Sequence, residues 1–347
     1  MHRMLTRSFM LAVALVFVCS AASAQYKLTN LDSNQVGQAV NPPDPLIVNA
    51  WGLARGATTP WWVSDQGSGW STIYDGAGKK QGLEVEIPPA KGGEIGMPTG
   101  IVFNPSTNFA DFTIGKQPTI FLFDTLDGTI GAWAPGIAPN DTEIIHDHSA
   151  SGASYTALAV TNRPSGNLLF AVNNAKNLVE VYDHNFTHLK NFQQDTSVGA
   201  DFAVFGARDI NGLVFVAYAS STNGPGGFID IYTEDGVLLT QTIHGSPLNQ
   251  PWGFAVAPKN FGPLSNTLLI SNNTNSGMIN GFNALTGQFV GTVKDTDGKA
   301  IVIDQLWAID FGGGAPMNAN GATNQLFFTA GPDNNFAGTF GRIDFVH

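Results

Sequence analysis

The side chains best suited to chemistry are oxygen donors and indoles, and they recur at set places along the chain. Asp65, Asp124, Asp127, Asn173, Asn174, Asn272, Asn273 and Asp333 follow apolar runs, while Asn49, Thr99, Tyr155, Gln250 and Asp304 precede or open others. Carboxylate and amide oxygens are hard donors that suit Ca²⁺ or Mg²⁺. A set drawn from Asn49, Asp65, Asn173, Asn272 and Asp304 would hold a divalent cation if the fold brought it to one point. With such a cation polarising a carbonyl and acidifying a bound water, Asp65 or Asp304 would serve as general base. Turn chemistry is the competing reading of each residue singly, because Asp and Asn bond their own backbone in turns. Trp51, Trp252 and Trp307 share one place in a recurring phrase. They are either wedges between structural units or a stacking platform for a sugar ring, with Thr99 and Tyr155 as polar contacts beside it.

His146 and His148 stand two residues apart on an expected strand and so point the same way. That spacing admits a transition metal, and with it a redox reading, although a solvated strand end is the simpler one. Phrases of the form G-x-S-x-G and H-E-x-x-H are absent. The Gly-rich stretches Gly67-Ser68-Gly69 and Gly312-Gly313-Gly314 open no expected helix and supply no phosphate cradle.

The elements that must position these residues are strands. The chain has 40 Gly, 19 Pro and only 12% charged residues, a composition of many short strands joined by turns. One cadence recurs six times at blade-like intervals. Its first strand reads Ala50-Trp51-Gly52-Leu53-Ala54, Pro98-Thr99-Gly100-Ile101, Tyr155-Thr156-Ala157-Leu158, more loosely Phe202-Ala203-Val204-Phe205, then Pro251-Trp252-Gly253-Phe254 and Leu306-Trp307-Ala308-Ile309. A near-continuous apolar strand follows each, then an alternating strand and a turn. Outer strands follow in five units, and the sixth lacks one. The segment Tyr26 to Leu31 is the spare strand that would close the ring and remove its open edge. The expected fold is all-β: one six-bladed β-propeller over residues 25–347, four strands per blade, closed by the N-terminal strand. A β-sandwich would not need six copies of one four-strand cadence.

Residues 1–24 read as a secretory signal peptide. Arg3 and Arg7 precede the apolar run Met10 to Val18, and Ala22-Ser23-Ala24 offers a small-residue cleavage site. Export to the periplasm or the outside of the cell is the expectation. The lone Cys19 lies in this leader, so the mature chain would hold no disulfide and no thiolate metal site. A net charge of −11 argues against a nucleic-acid partner, and after the leader no apolar run is long enough to span a bilayer.

Pro251-Trp252-Gly253-Phe254-Ala255-Val256, Leu269-Ile270-Ser271-Asn272-Asn273 and Ile279-Asn280-Gly281-Phe282 resemble the NHL-type propeller repeat. Over its mature length the chain resembles a family of secreted bacterial propellers, through Tyr26-Lys27-Leu28-Thr29-Asn30-Leu31, Asn49-Ala50-Trp51-Gly52-Leu53-Ala54, Trp62-Val63-Ser64-Asp65, Pro98-Thr99-Gly100-Ile101-Val102-Phe103 and Phe328-Thr329-Ala330-Gly331. That resemblance implies a fold and an export route but no activity. A more distant likeness to gluconolactonase-type propellers implies a divalent cation in the channel mouth, with Asn49 standing where those enzymes place a Glu. In a propeller, the starts of the inner strands and the second-to-third turns share one face, so the named residues would converge there. The leading expectation is a secreted binding or scaffold propeller that recognises a glycan or protein at that mouth. The alternative is a divalent-cation-dependent hydrolase or lyase of the lactonase type.

Overall fold

The computed structural model describes residues 25–106, 111–314 and 316–346. The leader expected over residues 1–24, Cys19 included, lies outside the described residues. Six four-stranded antiparallel sheets follow one another along the chain. Their inner strands are Ala50–Ala54, Pro98–Phe103, Tyr155–Val160, Phe202–Ile210, Pro251–Val256 and Leu306–Phe311. Each packs on the next, and the sixth returns to the first. The molecule is a six-bladed β-propeller. The first five blades are built from successive strands, with a small hairpin, Thr113–Ile114 and Gln117–Pro118, inserted in the second. The sixth blade takes its outer strand from the N-terminus. Gln25–Ser33 pairs antiparallel with Thr339–Val346, from Gln25 opposite Val346 to Ser33 opposite Thr339. The ring therefore closes through the ladder that the spare strand predicted.

The second strands are buried along their whole length where they lie between neighbouring blades, as in Trp61–Asp65 and Leu268–Asn272. This explains their unbroken apolar character. The outer strand His188–Asn191 is exposed throughout. Turns from third to outer strands are held by one side chain each: Asp75 Oδ1 accepts from the amides of Ala77 and Lys79, and Asp183 Oδ1 from those of Asn185 and Thr187. The fourth unit matches the repeat loosely because its inner strand runs on to Ile210. It then turns back through Asn211-Gly212, both at positive φ, the signature of a two-residue hairpin.

One irregularity repeats in every blade. The inner-to-second ladder slips register between Ala50 and Leu53, Pro98 and Ile101, Tyr155 and Ala157, Val204 and Gly206, Pro251 and Phe254, and Leu306 and Ile309. A small residue sits at each slip: Gly52, Gly100, Ala157, Gly206, Gly253 or Ala308. A Cβ on Gly52 would overlap the carbonyl oxygen of Thr99, and one on Gly206 that of Trp252. Carbonyls at the same level accept hydroxyls from the preceding blade. Thr156 Oγ1 donates to Phe205 O at 2.8 Å, Ser271 Oγ to Trp307 O at 2.6 Å, and Thr329 Oγ1 to Trp51 O at 2.5 Å. The slip turns these carbonyls away from their own sheet and hands them to the preceding blade.

Gly206→Ala is therefore expected to lower stability by roughly 1–3 kcal/mol, the cost of overpacking. Gly82→Ala, which meets nothing within 4 Å, is expected to stay within about 0.5 kcal/mol of the parent. Thermal or denaturant melts of the two variants check the contrast.

Candidate functional site

We call the face where the inner strands begin the leading face and the opposite one the trailing face. On the leading side the three tryptophans meet each other. Trp51 and Trp307 stack with centroids 3.6 Å apart and planes 16° from parallel. Trp252 stands edge-on to both, at 6.4 and 6.0 Å. Trp307 Nε1 donates to Asn49 Oδ1 at 2.9 Å, and Trp252 Nε1 to the carbonyl of Thr156 at 3.0 Å. Two indole N–H groups are thus fixed, while Trp51 Nε1 has no partner. All three residues are buried. They form one aromatic cluster among the inner strands, with Phe205 against Trp51 and Trp307.

The Asn and Asp side chains near this face serve their own loops. Asn49 Nδ2 donates to Gln66 while its Oδ1 holds Trp307. Asn173 Oδ1 accepts the amide of Lys176, and Asn272 Oδ1 that of Asn249. Asp304 Oδ2 accepts the amide of Asp333. Asp65 is fully buried; its Oδ2 accepts the amide and hydroxyl of Thr72, and its Oδ1 has no partner. Asp304 Oδ1, like Asp65 Oδ1, has no partner, but the five residues are engaged in five separate local networks, which does not fit a shared cation. Among the described residues no group of three or more His, Asp or Glu side chains is placed to hold a metal.

Thr99 and Tyr155 belong to networks between the second and third blades. Thr99 Oγ1 lies 2.8 Å from Asp124 Oδ1 and 2.9 Å from the carbonyl of Tyr155. The hydroxyl proton is shared between these two acceptors, and Asp124 Oδ1 also accepts the amide of Gly100 at 2.6 Å. Burial pushes the Asp124 carboxyl up to about 7 against these hydrogen bonds. Tyr155 Oη donates to Glu180 Oε2 at 2.8 Å, Tyr182 Oη reaches the same oxygen at 2.6 Å, and Asn173 Nδ2 holds Oε1 at 2.9 Å. His148 Nδ1 is 2.7 Å from Tyr155 Oη. Both phenolic protons point at Glu180, so Nδ1 is the donor to Tyr155 Oη. His146 stacks on His148 at 5.3 Å with its own Nε2 against the carbonyl of Phe186. Burial holds the His146 imidazole below its usual value. The two histidines sit at a structured strand end and share no third metal ligand.

A cavity opens on the trailing face. It has a volume of about 350 Å³ and is lined by the later halves of the inner strands. Of the site residues expected from the sequence, Trp252 alone reaches it. The residues that matter there went unremarked in the sequence. Arg55 Nε and Nη2 donate to the carbonyl of Phe311 at 2.9 and 2.6 Å. Arg208 Nη1 donates to the carbonyl of Phe254, and its Nη2 pairs with Asp310 Oδ2 at 2.9 Å. Two of only four arginines after residue 24 thus meet at one rim. That scarcity was the available signal. A second, smaller hollow of about 170 Å³ lies beside Asp304 in the sixth blade.

No protein-family model matches the chain. Three proteins of Acanthamoeba polyphaga mimivirus, each described as uncharacterised, resemble it. One is 28% identical over 340 residues, covering 93% of this chain and 81% of that protein. Another is 25% identical over 339 residues, covering 93% and 86%. With a third, 28% identical over 237 residues, the chain spans 43% of the relative's length. These relatives are viral, whereas the sequence phrases resembled bacterial secreted proteins. Among solved structures, a streptogramin B lyase superposes with a TM-score of 0.55 at 10% identity, over 93% of this chain and 98% of that one. A protein of unknown function from Bacteroides thetaiotaomicron gives 0.56 at 12%, over 92% and 76%. At such identities the likeness carries the propeller fold alone.

The buried acids make a pH prediction. Burial raises Asp124 and Asp230 to about 7 and, together with Asp44, Asp32 to about 7. The folded state then binds these protons more tightly than the unfolded chain, so the stability they confer is complete below pH about 4 and is lost as pH rises through about 7. The melting temperature is expected to fall between pH 5 and pH 8, and Asp124→Asn to flatten that slope. A melt series across the range checks it.

Proposed function

We propose that the chain is an exported binding propeller that takes a small polar ligand, such as the end of a glycan, into the trailing-face cavity. The observation that carries this reading is the pocket itself. At about 350 Å³ it falls within the range of small-molecule sites, about 300–1,000 Å³. Its lining joins apolar walls to a few convergent polar groups, the composition of binding sites in general. Export rests on the leader expected over residues 1–24 and on the resemblance to secreted propellers. N-terminal sequencing of the mature protein is expected to begin at Gln25. No described helix is long and apolar enough to cross a membrane.

This reading uses no cation. Melting curves with excess Ca²⁺ and with EDTA are expected to coincide. A Ca²⁺-dependent rise would favour the lactonase-type alternative, with Asp65 or Asp304 as base. For the binding reading, a glycan array on the purified protein supplies a ligand, and calorimetry on Asn162→Trp locates it. Asn162 is exposed and lines the cavity, so the larger side chain obstructs the opening without entering the core. Affinity is expected to fall about tenfold or more, roughly 1.4 kcal/mol, with an unchanged melting temperature. Undiminished binding by a folded Asn162→Trp would move the site elsewhere.

A further inference from the structure

We propose that the outer edge of the fifth blade is a contact surface for a second copy of this chain, met across a two-fold axis. The contact is separate from the pocket, so its failure would leave the binding reading untouched. Three observations carry it.

The first is the state of the six outer edges. An edge strand exposes unpaired backbone, and proteins guard it with charge or cover. The outer strand of the first blade, Val85–Glu86, is covered: Glu86 N donates to the carbonyl of Asn140, and Thr142 N to that of Glu86. In the second blade Glu143–Asp147 carries an acid at each end, and in the third His188–Asn191 carries Lys190. The fourth is tied to the loop before it, since Leu238 N donates to Gln193 Oε1 and Gln241 Nε2 to Asp195 Oδ2. The sixth, Gln25–Ser33, is covered by the amides of Val40, Asn41 and Asp44, which donate to the carbonyls of Asn30, Leu31 and Ser33. Among the described outer strands, only Phe289–Thr292 has neither charge nor cover.

The second is charge. No Asp, Glu, Lys, Arg or His stands between Lys259 and Lys294. Even the anchor of the turn before the strand is neutral. Asn283 Oδ1 accepts the amides of Leu285 and Thr286, the work that Asp75 and Asp183 do in the first and third blades. Two copies of a chain with a net charge of −11 repel each other over most of their surface. The uncharged sector of the fifth blade is where they approach with the least repulsion. A neutral apolar patch is also complementary to itself, as a two-fold contact requires.

The third is the patch itself. Leu285 is 92% exposed, Phe289 46% and Val290 49%. These side chains are presented by ordered structure. The Asn283 bonds fix the turn that carries Leu285, and Phe289 stands edge-on to buried Phe282 at 5.7 Å. An apolar group already ordered loses little further freedom when a partner covers it. The ladder slips beside Val290, and a bulged edge is a poor template for a further strand, so the two copies meet through side chains. A contact of this size belongs to the weak, concentration-dependent class.

The test is sedimentation velocity of the full mature protein over a range of concentrations. A monomer–dimer equilibrium is expected, with a dissociation constant of about 10–100 µM. Added salt is expected to tighten it, because salt screens the repulsion between copies. Val290→Lys and Leu285→Asp are each expected to weaken the dimer about tenfold or more, with an unchanged melting temperature. Leu189→Asp, at a site about as exposed on the outer strand of the third blade, is expected to leave it intact. A failure of Val290→Lys to fold leaves Leu285→Asp decisive. A chain that stays monomeric up to about 1 mM would overturn the proposal. So would a dimer that persists in both variants, one that Leu189→Asp also dissociates, one that salt breaks, or growth into larger assemblies.

Discussion

Six inner strands must meet around one axis, and they meet so closely that a single methyl group does not fit between them at the level of Gly52 and Gly206. Everything else follows from that approach. The residue at those two contacts has to be Gly, with Ala admitted where Ala157 and Ala308 stand, the ladder to the second strand slips there, and the carbonyls the slip turns outward need donors. Those donors are the hydroxyls of Thr156, Ser271 and Thr329, each on the blade before. A buried carbonyl left without one costs about 1–3 kcal/mol. The close approach is stable only because this set of cross-blade bonds accompanies it. Pairing of Gln25–Ser33 with Thr339–Val346 then locks the last blade to the chain's own beginning.

The same approach shapes the channel. Large indoles at the leading end fold inward and stack, as Trp51 does on Trp307, because the small residue beside each leaves them room. Beyond that cluster the inner strands carry small side chains toward the axis, and a pocket remains. The cavity thereby lies on the face that repeats least and not on the face that repeats most regularly. The leading face is busy with internal satisfaction: Asn49 holds Trp307, Asn272 holds its own blade's loop, and Glu180 gathers two tyrosines and an amide. Such groups make a rigid rim and have few free valences for a ligand.

The fold was legible because it is a repeat. Trp51-Gly52, Trp252-Gly253 and Trp307-Ala308 announce the same contact three times, and the second strands are apolar without interruption because both their faces are covered. The spare strand before residue 34 could be assigned by counting. Where the named side chains point was not legible. An Asn or Asp at a turn bonds backward to its loop or forward into a mouth with equal ease in the sequence, and Asn173 and Asn272 took the first course. Arg55, Arg208 and Asp310 escaped for the opposite reason. Each stands past the repeated phrase in its own blade, with no counterpart at the same position in the others, so a search for what recurs passes over them. They are found by asking where a protein this poor in charge spends its few arginines.

The most direct test of this account is a crystal of the mature propeller soaked in the ligand that the glycan array supplies. The account predicts that ligand in the trailing-face cavity, against Trp252 and between the later halves of the inner strands. A ligand bound instead over Asn49, Asn272 and Asp304 at the leading face would contradict it.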